Sequence, residues 1–225
     1  SPVRWQVAAD RTANPDLVYT GAVLDQLEAD LCVDTSRVYA TGLSNGAMIS
    51  SAIGCTMADR FAAIAPVAGV LDPTGCPKGR ALPVLTFHGT DDPILLFNGG
   101  VGARLNNTLG KTSGNDTGTT IPEAPLAKAD LDGAGYPASA AAWAKRNGCT
   151  GDPTDTKITD TVIQRTWDCP GDAPVVFDII EGGGHSWPGS EFSANIAKIV
   201  GPTDMSIDAT DLIWSFFTRF TVPAR

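Results

Sequence analysis

The sequence predicts an α/β fold, a mainly parallel sheet with helices on both faces. Three observations carry this. Short apolar runs, bounded by Gly, Pro or Asp and almost free of charge, recur along the chain, as strands covered on both faces require. Segments of helical period stand between them, and that alternation favours parallel strands joined by crossover helices. The third is Gly42-x-Ser44-x-Gly46, set where a strand pattern passes directly into a helical one.

The first element is a helix. Asn14-Pro15-Asp16 supplies an N-cap, a proline at the first helical position and an early acid. Leu17, Leu24, Leu27 and Leu31 then recur at helical spacing, with Asp25, Gln26, Glu28 and Asp30 facing away. Residues 37–41 (RVYAT) read as a short buried strand, and 47–59 as the helix after the pentapeptide. Two apolar strands follow at 61–67 and 83–87, then a helix at 138–147 that stops at Gly148. Strands at 161–167 and 175–180 and a closing helix at 209–220 complete the pattern.

Residues 98–137 break the rhythm, being rich in Gly, Thr, Asn and Asp with little periodicity; a loop this long reads as an insertion or lid. Asp130-x-Asp132-Gly133 within it lacks the rest of a calcium-loop pattern. No linker or repeat divides the chain, so a single domain over 1–225 is expected.

A net charge of −9 makes nucleic acid and anionic membrane surfaces poor partners, and no apolar run is long enough to span a bilayer. Cys149 and Cys169 flank a polar stretch rich in Thr and Asp, where a disulfide would close a hairpin-like excursion worth roughly 3 kcal/mol. Neither belongs to a Cys-x-x-Cys pair and the chain has only two histidines, so neither a metal nor another cofactor is expected. Cys32, Cys55 and Cys76 remain, an odd number. This usage points to an oxidising, secreted setting.

The chemistry centres on Ser44. A strand–Gly-x-Ser-x-Gly–helix junction is the nucleophile elbow, a strained turn that presents the serine hydroxyl. At the start of the following helix, the backbone N–H of Asn45 would face a developing oxyanion. The hydroxyl needs a base, and only His88 and His185 are available. Each follows a strand, His88 in FHGTDDP and His185 in EGGGHSWPG. The hydrolase order of serine, acid, histidine selects Ser44, Asp91 or Asp92, and His185, leaving His88 to shape the acid-bearing turn. Trp187, beside His185, either lines a substrate cleft or packs on its rim.

Residues 32–48 (CVDTSRVYATGLSNGAM), 61–69 (FAAIAPVAG), 87–93 (FHGTDDP) and 181–189 (EGGGHSWPG) resemble the polyhydroxybutyrate depolymerase and feruloyl esterase group, which includes acetylxylan esterases of carbohydrate esterase family one. The resemblance runs from about residue 14 to 220, apart from the insertion. It implies an α/β-hydrolase fold and a serine carboxylic ester hydrolase working through an acyl-enzyme. The implied substrates are feruloyl or acetyl polysaccharide esters of plant cell walls, or hydroxyalkanoate-type polyesters. It places the acid at Asp92, the last residue of a His-Gly-x-x-Asp turn, with Asp91 as alternative. It also favours a Cys55–Cys76 disulfide over Cys32–Cys55.

The resemblance further implies strands ahead of the first helix, one ending in a turn that gives a second oxyanion donor. Ser1 to Trp5 stand close to that helix and no such strand is visible. Loss of one donor costs roughly 3–4 kcal/mol in other hydrolases. A bare sheet edge also invites association, so a homodimer covering it is consistent with the sequence. Two further readings share the residues: an acyltransferase on the same triad, and a secreted scaffold of weak activity.

Overall fold

A computed structural model describes residues 4–222, apart from 9, 11, 12, 104 and 106–125. Six strands form one sheet: β1 (Tyr39–Leu43), β2 (Ala63–Val67), β3 (Val84–Gly89), β4 (Thr150–Lys157), β5 (Val162–Asp168) and β6 (Val175–Ile180). Their spatial order is β1-β2-β3-β6-β5-β4. The first four neighbours run parallel, while β5 is antiparallel to β6 and β4 to β5. The expected mainly parallel α/β sheet is therefore present, with an antiparallel hairpin at one side.

The helices among the described residues are α1 (Pro15–Asp30), α2 (Asn45–Thr56), α3 (Tyr136–Asn147), α4 (Glu191–Asn195), α5 (Ala197–Val200) and α6 (Ala209–Phe217). Leu17, Leu24, Ile49, Ile53 and Trp143, from α1, α2 and α3, pack on one face of the sheet against Ile64, Val84 and Val175. Ile213, Phe216 and Phe217 of α6 cover the other, against Ala63, Ala65, Val67, Leu85 and Phe87. Neighbours in β2 thus enter opposite clusters, the period-two alternation of a strand buried on both sides.

The α1 pattern needs correction. Its buried stripe is Leu17, Gly21 and Leu24, while Leu27 is 43% and Leu31 59% exposed. At 100° per residue Leu27 lies about 80° from Leu17, whereas Glu28 lies about 20° from it. Glu28, not Leu27, therefore faces inward, and it pairs with Arg60 at 3.0 Å. Two boundaries also move: β1 starts two residues later than the apolar run and continues to the elbow, and α3 begins at Tyr136 with Pro137 in its first turn. The closing helix ends at Phe217.

Strand β4, and the short helices α4 and α5, were not legible in the sequence. TGDPTDTK is polar and almost wholly exposed, so it carries no strand pattern. It is held by its hairpin partner and by two cross-links. Asp155 stands opposite Arg165 and takes its guanidinium through both carboxylate oxygens at 2.7 Å. The Cys149–Cys169 disulfide closes the hairpin. A second disulfide joins Cys55 to Cys76, and Cys32 is free and exposed.

Most of the 98–137 insertion lies outside the described residues. Its two ends are tied together: Asn98 Nδ2 donates to the carbonyls of Asp130 (2.6 Å) and Ala134 (3.1 Å), and Asp130 N–H returns a bond to Asn98 Oδ1 (2.8 Å).

Asp178 is a buried acid that the sequence did not single out. It sits on β6, 1% exposed, with Gln164 Nε2 donating to Oδ1 at 3.0 Å and with Oδ2 unpartnered among the described residues. Burial, only partly offset by the Gln164 bond, pushes its carboxyl up to about 6. The native state therefore binds the proton more tightly than the unfolded chain, whose aspartates titrate near ~3.9. The resulting stability is fully present below about pH 4 and lost as pH rises through 6, about 3 kcal/mol in all. Asp178→Asn keeps a partner for Gln164 and should flatten this dependence. Denaturant unfolding at pH 4.5 and 7.5 is expected to show the variant more stable than the wild type at the higher pH; equal losses in both would exclude Asp178 as the source.

Candidate active site

β1 delivers Ser44 directly into α2. Ser44 has φ 59° and ψ −116°, a left-handed backbone costly for any side-chain-bearing residue. Its N–H donates to Val67 O of the adjacent strand at 3.0 Å, which fixes the turn against the sheet. Ser44 holds the N-cap position, where a serine hydroxyl usually bonds to the helix, yet it makes no capping bond. Gly42 makes the turn sterically feasible, because a Cβ there would lie 2.7 Å from the Gly46 carbonyl carbon, whereas a Cβ on Gly46 would meet no described atom within 4 Å. Asn45 is the first residue of α2, so its N–H is among those that no intrahelical carbonyl can satisfy.

β3 and β6 carry the remaining groups. Asp92 is fully buried in the turn after β3, and its Oδ2 lies 2.7 Å from His185 Nδ1. Its Oδ1 accepts the backbone N–H groups of Ile94 and Leu95, both at 2.8 Å. Asp91 is exposed, and its side chain accepts only a long 3.4 Å bond from Thr90 Oγ1. Of the two adjacent acids, Asp92 is therefore the one brought to His185. Burial pushes the Asp92 carboxyl up, but the bonds from His185 and His88 outweigh it and hold the group down to about 2.

His88 has a place that sequence order alone did not reveal. Its Nε2 lies 3.2 Å from the same Asp92 Oδ2 and 2.9 Å from Leu95 O, while its ring stacks on Tyr136 at 3.6 Å. Both neighbours of Nε2 are acceptors, so Nε2 carries a proton. His88 buttresses the acid rather than standing apart as a second base.

The loop bearing His185 is pinned from both sides. His185 N–H donates to Val200 O at 2.6 Å, and Gly183 O accepts Asp91 N–H at 2.9 Å. A side chain at position 89 would close this approach, because a Cβ there would lie 2.1 Å from Gly183 O. With Nδ1 bonded to Asp92, Nε2 is the ring position left for proton transfer. Since β1, β2, β3 and β6 run parallel, Ser44, Asp92 and His185 all emerge at the same carboxyl edge of the sheet, where open α/β sheets carry their sites. Trp187 is half-buried: its indole N–H donates to Thr210 Oγ1 at 3.1 Å, and its ring packs against the α6 cluster.

Over 187 residues the chain is 30% identical to feruloyl esterase B of Piromyces equi, an alignment covering 81% of this chain and 31% of that protein. It is 38% identical over 104 residues to feruloyl esterase C of Emericella nidulans, covering 46% and 37%. The chain is homologous to the feruloyl esterases. It spans about a third of the length of these curated relatives. The acetyl xylan esterase from Aspergillus awamori superposes with a TM-score of 0.54, over 97% of this chain and 74% of that one. At 16% identity this likeness carries the fold alone, the α/β-hydrolase fold that the feruloyl esterase homology also implies. No protein-family model matches the sequence.

Proposed function

We propose that this chain is the catalytic region of a serine carboxylic ester hydrolase, with Ser44 as nucleophile, His185 as base and Asp92 as the acid that orients it. The observation that carries the reading is the buried Asp92–His185 bond at the sheet edge that also presents the strained Ser44. His185 Nε2 takes the Ser44 hydroxyl proton as Oγ attacks the ester carbonyl carbon. The oxyanion that forms faces Asn45 N–H. Collapse breaks the ester bond, and the leaving alkoxide takes the proton from His185, leaving an acyl-serine. Water then repeats the sequence, releasing the acid and restoring the hydroxyl.

The relatives' names favour feruloyl esters among the candidate substrates, ahead of acetylated polysaccharide and hydroxyalkanoate polyester. Trp187, only partly buried, is proposed to line the substrate cleft. The two disulfides support a secreted site of action. β1 is an edge strand, the edge at which a homodimer is proposed to close. Methyl ferulate, acetylated xylan and hydroxybutyrate oligomers compared at equal enzyme concentration test the assignment. The expected result is fastest release of ferulate; no release from any of the three would overturn the esterase reading.

A further inference from the structure

Residues 4–8 form no regular element, yet they tie together the starts of two helices. At one end Trp5 N–H donates to Asn45 Oδ1 at 2.6 Å, and Asn45 Nδ2 donates back to Trp5 O at 3.1 Å. At the other end Gln6 N–H donates to Asp16 Oδ2 at 2.6 Å, and Asn14 Nδ2 donates to the carbonyls of Gln6 (2.9 Å) and Ala8 (2.7 Å). Asn14 is 1% exposed and also caps α1 through its Oδ1, so the far anchor is a rigid one.

The near anchor falls beside the proposed chemistry. Both polar ends of the Asn45 carboxamide are engaged by one residue's backbone, as in a strand pair, and this leaves the side chain a single orientation. Asn45 is also the residue whose own N–H is the proposed oxyanion donor. Immediately before it stands Ser44 in its strained conformation, which persists only where the surroundings over-determine it. The Gly42–Gly46 approach and the Ser44–Val67 bond hold the elbow from the sheet side. The Trp5 pair holds it from outside.

We propose that residues 4–8 act as a positioning strap: the Trp5–Asn45 pair aims the Asn45 N–H at the developing oxyanion, so turnover depends on a segment that touches no reacting atom. This rests on the serine-esterase reading. Complete loss of one oxyanion donor lowers kcat by roughly 10²–10³-fold, and a donor displaced by about 1 Å loses on the order of 10²-fold. Release of the strap belongs at or below the second figure.

Three variants separate the contributions. Trp5→Pro removes the N–H that Asn45 accepts. Asn45→Ala removes the carboxamide but keeps the Asn45 N–H. Trp5→Ala keeps both backbone groups and removes only the ring. Turnover of p-nitrophenyl acetate is expected to fall about ten- to a hundred-fold in kcat for Trp5→Pro and for Asn45→Ala, with KM within about twofold. The double variant should be no slower than the slower single one, because both remove the same pair. Trp5→Ala should lose at least about tenfold less than Trp5→Pro. Lowered melting temperatures with wild-type kcat in the folded variants would mean a merely structural strap and would overturn the proposal, as would additive losses. Fluorophosphonate labelling of the wild type is run first. Failure to label sinks the esterase reading itself, whereas normal labelling with unchanged kcat in the variants sinks the strap alone.

Discussion

Ser44→Ala is expected to abolish acylation and leave the fold intact. The oxygen removed makes no capping bond, although it sits where a serine normally caps its helix, so no cap is lost with it. Alanine meets the same positive φ that serine already tolerates there, so stability should change by less than about 1 kcal/mol. Catalysis has no such reserve. Removing the nucleophile of a comparable triad costs about six orders of magnitude in kcat, and what remains comes from oxyanion stabilisation and binding. A fluorophosphonate probe should therefore label the wild type at a single residue and the variant not at all. Mass mapping locates the adduct, and a label that persists in Ser44→Ala would falsify the assignment.

The parts of this site that could be read from the sequence are those set by local backbone chemistry. Gly42 announces the elbow because a side chain there would collide with the Gly46 backbone, and the apolar runs mark strands buried on both faces. The Cys149–Cys169 disulfide was legible in the polar stretch that its cysteines flank, whereas Cys55–Cys76 was favoured by the family resemblance. What escaped depends on partners far apart in the chain. β4 has the composition of a loop and becomes a strand because β5 and Arg165 stand beside it. Leu27 fits a leucine count, but the helix angle turns it to solvent and brings Glu28 to Arg60. His88 looked like a rival to His185, and only folding shows that both reach one carboxylate oxygen. The Trp5–Asn45 pair spans forty residues between two unremarkable side chains, with no periodicity or motif to mark it.

Asp92→Asn is expected to lower kcat by about four orders of magnitude, while Asp91→Asn changes it little. The reason lies in which atoms the carboxylate faces. Oδ1 is occupied by two backbone N–H groups, so an asparagine at 92 keeps its oxygen there and turns its NH2 toward the histidines. That group donates, and His185 Nδ1 must then accept. The imidazole proton moves to Nε2, the nitrogen that should receive the Ser44 proton, and the base is lost with the geometry largely preserved. Asp91 is solvent-exposed and has no bond to either imidazole, so its amide alters neither tautomer. A second signature accompanies the kinetic one. Because the Asp92 carboxyl is held to about 2, below its unfolded value, its contribution to stability is present above about pH 4 and disappears as pH falls toward 2. Asp92→Asn should remove that part of the acid-unfolding curve, and Asp91→Asn should retain it. Steady-state kinetics near pH 7 and acid unfolding of both variants provide the comparison. A reversed ranking in kcat would transfer the role to Asp91 despite the observed contact, and near-wild-type turnover in both would mean that His185 does not need an acid to act.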